Sequence, residues 1–177
     1  MILDKLLTFS GGLNNSSSVL DSPTTGTQVA SNIIDLGLID AIPSSANGGG
    51  ARDIAYGYPL WLSALVTTAF SGGTSLQLEL SGAPDDGSGG QGSYTVMWTS
   101  FAYVTANLDA GQQLANIRVP SPVPGQVLPR FLRLRYITVG THAAGAIEAQ
   151  IVLDRDNQIV GPDGQYSGYR AGLTVAN

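Results

Sequence analysis

The sequence predicts an all-β protein, a two-sheet antiparallel sandwich of jelly-roll type. Three observations carry this. Apolar residues alternate with polar ones in many short runs. The 23 Gly and nine Pro fall between those runs, as turn punctuation. No window of helical periodicity exceeds about two turns; the best of them covers residues 102–113.

Eight strands follow in order. Residues 2–9 open with a Leu-rich run, and residues 29–36 (VASNIIDL) form a second. Residues 60–66 alternate as Leu60, Leu62, Ala64 and Val66, and residues 74–81 as Leu76, Leu78 and Leu80. Residues 93–99 place Tyr94, Val96 and Trp98 in one phase, which predicts a core position for Trp98. Residues 114–119, 129–139 and 146–153 complete the set. The last two read as a hairpin around GTHAAG, residues 140–145. That register pairs Leu134 with Ile151, Tyr136 with Ala149 and Leu132 with Leu153 on a clean core face. Its other face is mixed, with Phe131, Arg133, Arg135 and Ile137 beside Glu148, Gln150 and Val152. Long connections at residues 37–51, 100–113 and 120–128 favour a jelly roll over an up-and-down barrel.

One domain accommodates 177 residues,. Its expected body is residues 1–153, with Ser/Gly-rich loop insertions at 11–28 and 83–92. Residues 154–177 lack a core pattern, show no strand before 173–175, and are expected to form an extended C-terminal arm reaching onto a neighbour.

The chain contains no Cys, which removes disulfides, thiolate metal sites and Cys nucleophiles,. Charged residues make up 12%, about half the usual share of ~25%. Lys5 is the single lysine, and Glu79 and Glu148 are the two glutamates. The net charge of −5 with scattered cations argues against nucleic acid,. The opening MILDKLLTFSGG does not have the form of a secretion signal, and no apolar run is long enough to span a membrane as a helix.

Gly87-Ser88-Gly89-Gly90-Gln91-Gly92 spells GxGxxG, but a dinucleotide site needs a helix after the glycines, and here a strand follows. The motif reads as a loose hairpin loop. Asp85 and Asp86, or Asp154, Asp156 and Asp163, resemble calcium ligands, yet counting from Asp154 puts Ile159 and Gln165 where an EF-hand needs Gly and Glu. No metal and no cofactor are expected. His142 is the only histidine; within GTHAAG it reads as an exposed turn residue, with no nucleophile-elbow motif to serve. Glu79, Glu148 and the scattered Asp form no evident glycosidic pair. Trp61 is out of phase with Leu60 and Leu62 and points away from the core.

In order, the blocks MILDKLLTFS, NIIDLG, ARDIAYGYPLWLSALVTTAFSGGTSLQLEL, IRVP and RFLRLRYITVGTHAAGAIEAQIVLD carry a resemblance over residues 1–154. The chain resembles the small cement (decoration) protein family of Bordetella-type tailed bacteriophages. The resemblance implies a jelly roll on the outer surface of an icosahedral phage head, made in the bacterial host cytoplasm, where it bridges major capsid protein subunits. It implies no enzyme activity. Self-association is expected, a homodimer before a homotrimer, because two-fold pairing is the commonest closed symmetry. Candidate contact residues are Trp61, Phe131, Arg133, Arg135, Tyr166, Tyr169 and Arg170. A carbohydrate-binding jelly roll, using Trp and Tyr as a platform, is the alternative. A small β-sandwich hydrolase built on His142 is a distant third.

Overall fold

A computed structural model of the protein describes residues 7–11, 20–37, 60–120 and 129–152, with the backbone of two further short strands. In chain order the strands are β1 (Thr8–Ser10), β2 (Gly26–Val29), β3 (Ile34–Asp35), β4 (Trp61–Gly72), β5 (Ser75–Ala83) and β6 (Thr95–Thr99). They continue with β7 (Tyr103–Val104), β8 (Gln113–Arg118), β9 (Phe131–Val139), β10 (His142–Val152), β11 (Ile159–Val160) and β12 (Tyr166–Ser167). In the window of helical periodicity the one helical piece is a 3-10 turn, Thr105–Asn107, between β7 and β8.

One sheet has the order β1-β10-β4-β8. The other has the order β2-β9-β5-β6, with β3 also on β9 and β7 also on β5. Every pairing described is antiparallel. The chain changes sheet at most connections, and the two four-strand orders are those of an eight-stranded jelly roll.

Alternation explains why these segments are strands. Leu62, Ala64 and Val66 of β4 are fully buried, and so are Leu76, Leu78 and Leu80 of β5. Leu134 and Tyr136 of β9, Ile147, Ala149 and Ile151 of β10, and Phe9 of β1 close the same core, with Ile34, Leu108 and Leu114. Each large side chain removed from water there contributes about 1.5–3 kcal/mol before entropy is counted.

The expected hairpin between the last two long strands does not form. β9 pairs with β5, Leu134 opposite Leu80 and Tyr136 opposite Leu78. β10 pairs with β4, Ile151 opposite Leu62 and Ala149 opposite Ala64. Only Gly140 and Thr141 separate β9 from β10, and they carry the chain from one sheet to the other. The faces were read correctly, since these residues meet across the core. Periodicity identifies the buried face of a strand but not its hydrogen-bonded neighbour. The same correction places Glu148, Gln150 and Val152 in the opposite sheet from Arg133 and Arg135. Leu153 lies outside the described residues.

Four further expectations change. Part of the loop expected at residues 11–28 is sheet: β2 pairs Gly26 with Thr138 through to Val29 with Arg135, and Asp21 bridges Ile147. The strand is polar and at an edge, so it carries no hydrophobic pattern. Tyr94, Val96 and Trp98 do not share a face. A bulge pairs Leu80 with Trp98 and then Ser81 with Val96, which inserts one residue and reverses the phase. Trp98 therefore packs on the core, whereas Val96 is 51% exposed. In the tail, β11 and β12 pair with each other, where no strand was expected before residue 173; residues 173–175 lie outside the described residues.

His142 is the fourth. It is not an exposed turn residue but the first residue of β10, 2% exposed. Its ring stands edge-on to Phe70, with centroids 5.1 Å apart. Nε2 lies 3.4 Å from the Thr105 hydroxyl. Gly73 leaves the room: a Cβ there would sit 1.8 Å from the imidazole. Burial lowers the His142 pKa, opposed by the Pro23 carbonyl. The unfolded chain therefore binds this proton more readily than the folded one. Stability is full above about pH 6.5, the unfolded value, and declines as pH falls toward the folded value. Thermal melts between pH 7.5 and 5 should show this decline in the wild type and a flatter profile in His142→Gln.

Candidate contact face

Strand β9 turns Leu132, Leu134, Tyr136 and Thr138 inward, so Arg133, Arg135, Ile137 and Val139 stand on the outer face of the second sheet. Their cross-strand partners share that face. Val29 and Glu79 flank Arg135, Ser81 flanks Arg133, and Ser75 lies between Val139 and Val104. Val96 continues the row beyond Ser81. Among the described residues the large apolar side chains left exposed are Val29, Val96, Phe101, Val104 and Val139. All five belong to this sheet or to the connection between β6 and β7. The sheet therefore exposes valines among small polar residues, with charges near the middle of its outer face.

The charges are held in fixed geometry. Arg135 Nε donates to Glu79 Oε1 at 2.8 Å, and Glu79 is 6% exposed. The Arg133 guanidinium lies 3.6 Å from the Tyr94 ring centroid, a cation–π stack. The Tyr94 hydroxyl donates to Gln91 Oε1 at 2.8 Å. Burial raises the Tyr94 pKa, and the neighbouring Arg133 charge works against that rise.

The other expected contact residues fall differently. Phe131 is 6% exposed and lies beneath the Arg130 guanidinium, 4.7 Å from its ring centroid; it supports the face rather than presenting itself. Arg130 forms a two-pronged contact with Asp35, both bonds 2.9 Å, and also bonds Asp85. Trp61 is half-buried in the other sheet, in register with Arg118 and Val152. Tyr166 is in β12, described by its backbone alone; Tyr169 and Arg170 lie outside the described residues. Of the expected set, Arg133 and Arg135 stand together with Phe131 at the end of the same strand. Sequence reasoning missed Tyr94, Val29, Val96, Val104 and Val139. An even spacing along β9 signals Val139, but the bulge hides Tyr94 and Val96.

The GxGxxG loop serves itself. Asp85 Oδ1 accepts from the Gly87 and Gly89 amides at 2.6 and 3.2 Å. Asp86 Oδ1 accepts from the Ser88 amide and hydroxyl and from the Gly90 amide, at 2.8, 2.7 and 2.9 Å. The amides that would cradle a phosphate are thus turned to the chain's own carboxylates, and the expected loose loop is laced shut. Among the described residues no three His, Asp or Glu side chains gather as metal ligands; Asp154, Asp156 and Asp163 lie outside them. The Gly87 amide, Arg130 and the Gly89 amide lower the Asp85 pKa, and Ser88 and Gly90 lower that of Asp86. The lacing is thus intact above the ordinary Asp value of about 3.9 and lost as pH falls through the folded values. Amide resonances of Gly87 to Gly90 should collapse toward random-coil shifts in that acid range, and Asp86→Ala should show the collapse at neutral pH for Ser88 and Gly90, whose amides it holds.

A cleft of about 400 Å³ opens where β6 and β7 meet the edge strand β8. Trp98, Phe101, Tyr103, Gln113 and Asn116 line it. The Tyr103 hydroxyl is already committed to the Leu114 carbonyl.

The architecture and its mixed outer face define an eight-stranded jelly-roll sandwich whose most developed surface is a sheet face. The chain belongs to the Bbp16 family, whose model matches residues 21–151. That name points to a Bordetella phage protein. No curated protein matches the chain.

Proposed function

We propose that the protein is a structural component of the virion, a cement protein. It binds the outer surface of an icosahedral phage head, bridges major capsid protein subunits and catalyses no reaction. The observation that carries this reading is that, among the described residues, the exposed large apolar side chains all lie on one sheet or in its β6–β7 connection, the sheet whose outer face also carries the Arg133–Tyr94 stack. Arg and Tyr with apolar neighbours are typical of protein interfaces. A standard contact buries about 800 Å² per partner, which one sheet face can supply. Touching two subunits makes the second contact intramolecular and raises its effective concentration. A homodimer, or second a homotrimer, would extend the bridge.

The test mixes purified protein with empty expanded capsids of the phage and reads copy number from gel band ratios. A fixed stoichiometry is expected. Failure to co-sediment would overturn the reading. The cleft favours a second reading, carbohydrate binding, because aromatic rings beside Gln113 and Asn116 suit a sugar. Glycan-array binding that falls in Phe101→Ala would favour it. Loss in Trp61→Ala would instead place the platform on the other sheet.

A further inference from the structure

We propose that Arg133, Ser81 and Tyr94 form a built acceptor site for a carboxylate, an Asp or Glu side chain of the capsid subunit. The proposal rests on the cement reading and names the chemistry of its central contact. Arg133 and Ser81 are direct cross-strand partners on the outer face. Arg133 Nε and Ser81 Oγ are both buried, and neither has a hydrogen-bond partner. Buried donors are nearly always satisfied in proteins, and one left unpaired costs stability. Two adjacent unpaired groups that can both donate fit one acceptor with several lone pairs, which a carboxylate supplies.

Charge selects the same ligand. Along this strand and its approach, Arg130 is neutralised by Asp35 and Asp85, and Arg135 by Glu79. Among the described residues Arg133 has no carboxylate in ion-pair reach. The guanidinium is stacked on Tyr94 and Tyr94 is tied to Gln91, so the stack must tilt for the carboxylate to reach the two buried donors. A single positive charge matches a monoanion better than a phosphate, and the chain's net charge of −5 repels polyanions,. Val96, beside Ser81, gives the site an apolar rim. Fixed Arg and Tyr groups with such a rim are the usual make-up of interface hot spots.

Two measurements test this. In the first, empty capsids are titrated with wild type, Arg133→Ala, Arg133→Lys and Ser81→Ala, each checked for an unchanged fold by circular dichroism. Arg133→Ala should weaken binding by at least about 30-fold, Arg133→Lys nearly as much because it loses the flat fork, and Ser81→Ala by a few-fold. Wild-type affinity in Arg133→Ala or Arg133→Lys overturns the carboxylate site and leaves the cement reading standing. In the second, the isolated wild-type protein is titrated with sodium acetate against sodium chloride at matched ionic strength, following the Arg133 Nε–H resonance. A saturable shift specific to acetate, absent in Ser81→Ala, is expected. A response identical in both salts overturns the site. If wild type ignores capsids, the cement reading fails while the acetate titration still decides the site. If a second copy of the chain supplies the carboxylate instead, Arg133→Ala will dissociate an oligomer without changing capsid affinity, which overturns the assignment to the capsid.

Discussion

Gly145→Ala should lower the melting temperature by roughly 6–12 °C, the equivalent of about 3 kcal/mol. Two costs add. Gly145 has φ +141°, a conformation that L side chains rarely adopt. A Cβ there would also lie 2.3 Å from Cδ1 of Phe70, with two more ring atoms within 2.5 Å. Phe70 is buried, 7% exposed, and its ring abuts His142, so it has nowhere to retreat. Backbone strain costs about 1–3 kcal/mol and overpacking about as much. The two costs separate experimentally. In a Phe70→Leu background the added methyl meets a smaller neighbour, so Gly145→Ala should cost less there, with the backbone component remaining. Equal costs in both backgrounds would show that the ring contact contributes nothing.

Asp21→Ala should cost about 2–4 kcal/mol in chemical denaturation. Asp21 joins segments from both sheets. Its carboxylate accepts from the Tyr136 hydroxyl at 2.9 Å, across 115 residues of sequence, and from the Ser31 amide. Its amide donates to the Ser10 hydroxyl at 2.8 Å, and its carbonyl accepts from the Ile147 amide. Ser10 in turn donates to the Ile147 carbonyl at 2.7 Å. Tyr136 is 1% exposed; burial raises its pKa well above the ordinary value, and the Asp21 charge adds to the rise, so it stays a neutral donor. Removing the carboxylate leaves that hydroxyl stranded. Asp21→Asn, which keeps an acceptor, should cost less. Tyr136→Phe should cost little once Asp21 is Ala, because the lost partner is then already gone. Additive costs would refute the pairing.

Much of the fold was legible because a strand with one buried face writes that face into every second residue. Leu62, Ala64 and Val66 did so, as did Leu76, Leu78 and Leu80, and each proved core. The partner of a strand is written nowhere locally. β9 and β10 are adjacent in sequence and both alternate cleanly, so a hairpin was the natural expectation; their real neighbours, β5 and β4, begin more than 50 residues upstream. The bulge opposite Leu80 and Ser81 reversed a phase that looked continuous through Tyr94, Val96 and Trp98. His142 was misjudged because small residues around it suggest a turn, whereas the glycine that makes its pocket, Gly73, belongs to another crossing. Arg133 and Arg135 on a mixed face were readable from β9 alone. Their partners were not, because Tyr94, Glu79 and Ser81 reach them only through the sheet. The lacing of Asp85 and Asp86 was readable in principle, since an Asp two residues before a Gly or Ser amide is a common turn device.

The sheet orders set a timetable for biosynthesis. β10 lies between β1 and β4, and β9 lies between β2 and β5, so one of the two inner strands of each layer is made late. Until residues 131–152 emerge, β1, β2 and β3 have no sheet partner among the described residues, and β4 and β5 each lack one neighbour. Such distant closure is slow and cooperative. A chain that stops short of β9 therefore lacks Arg133, Arg135 and the strand that carries the outer face.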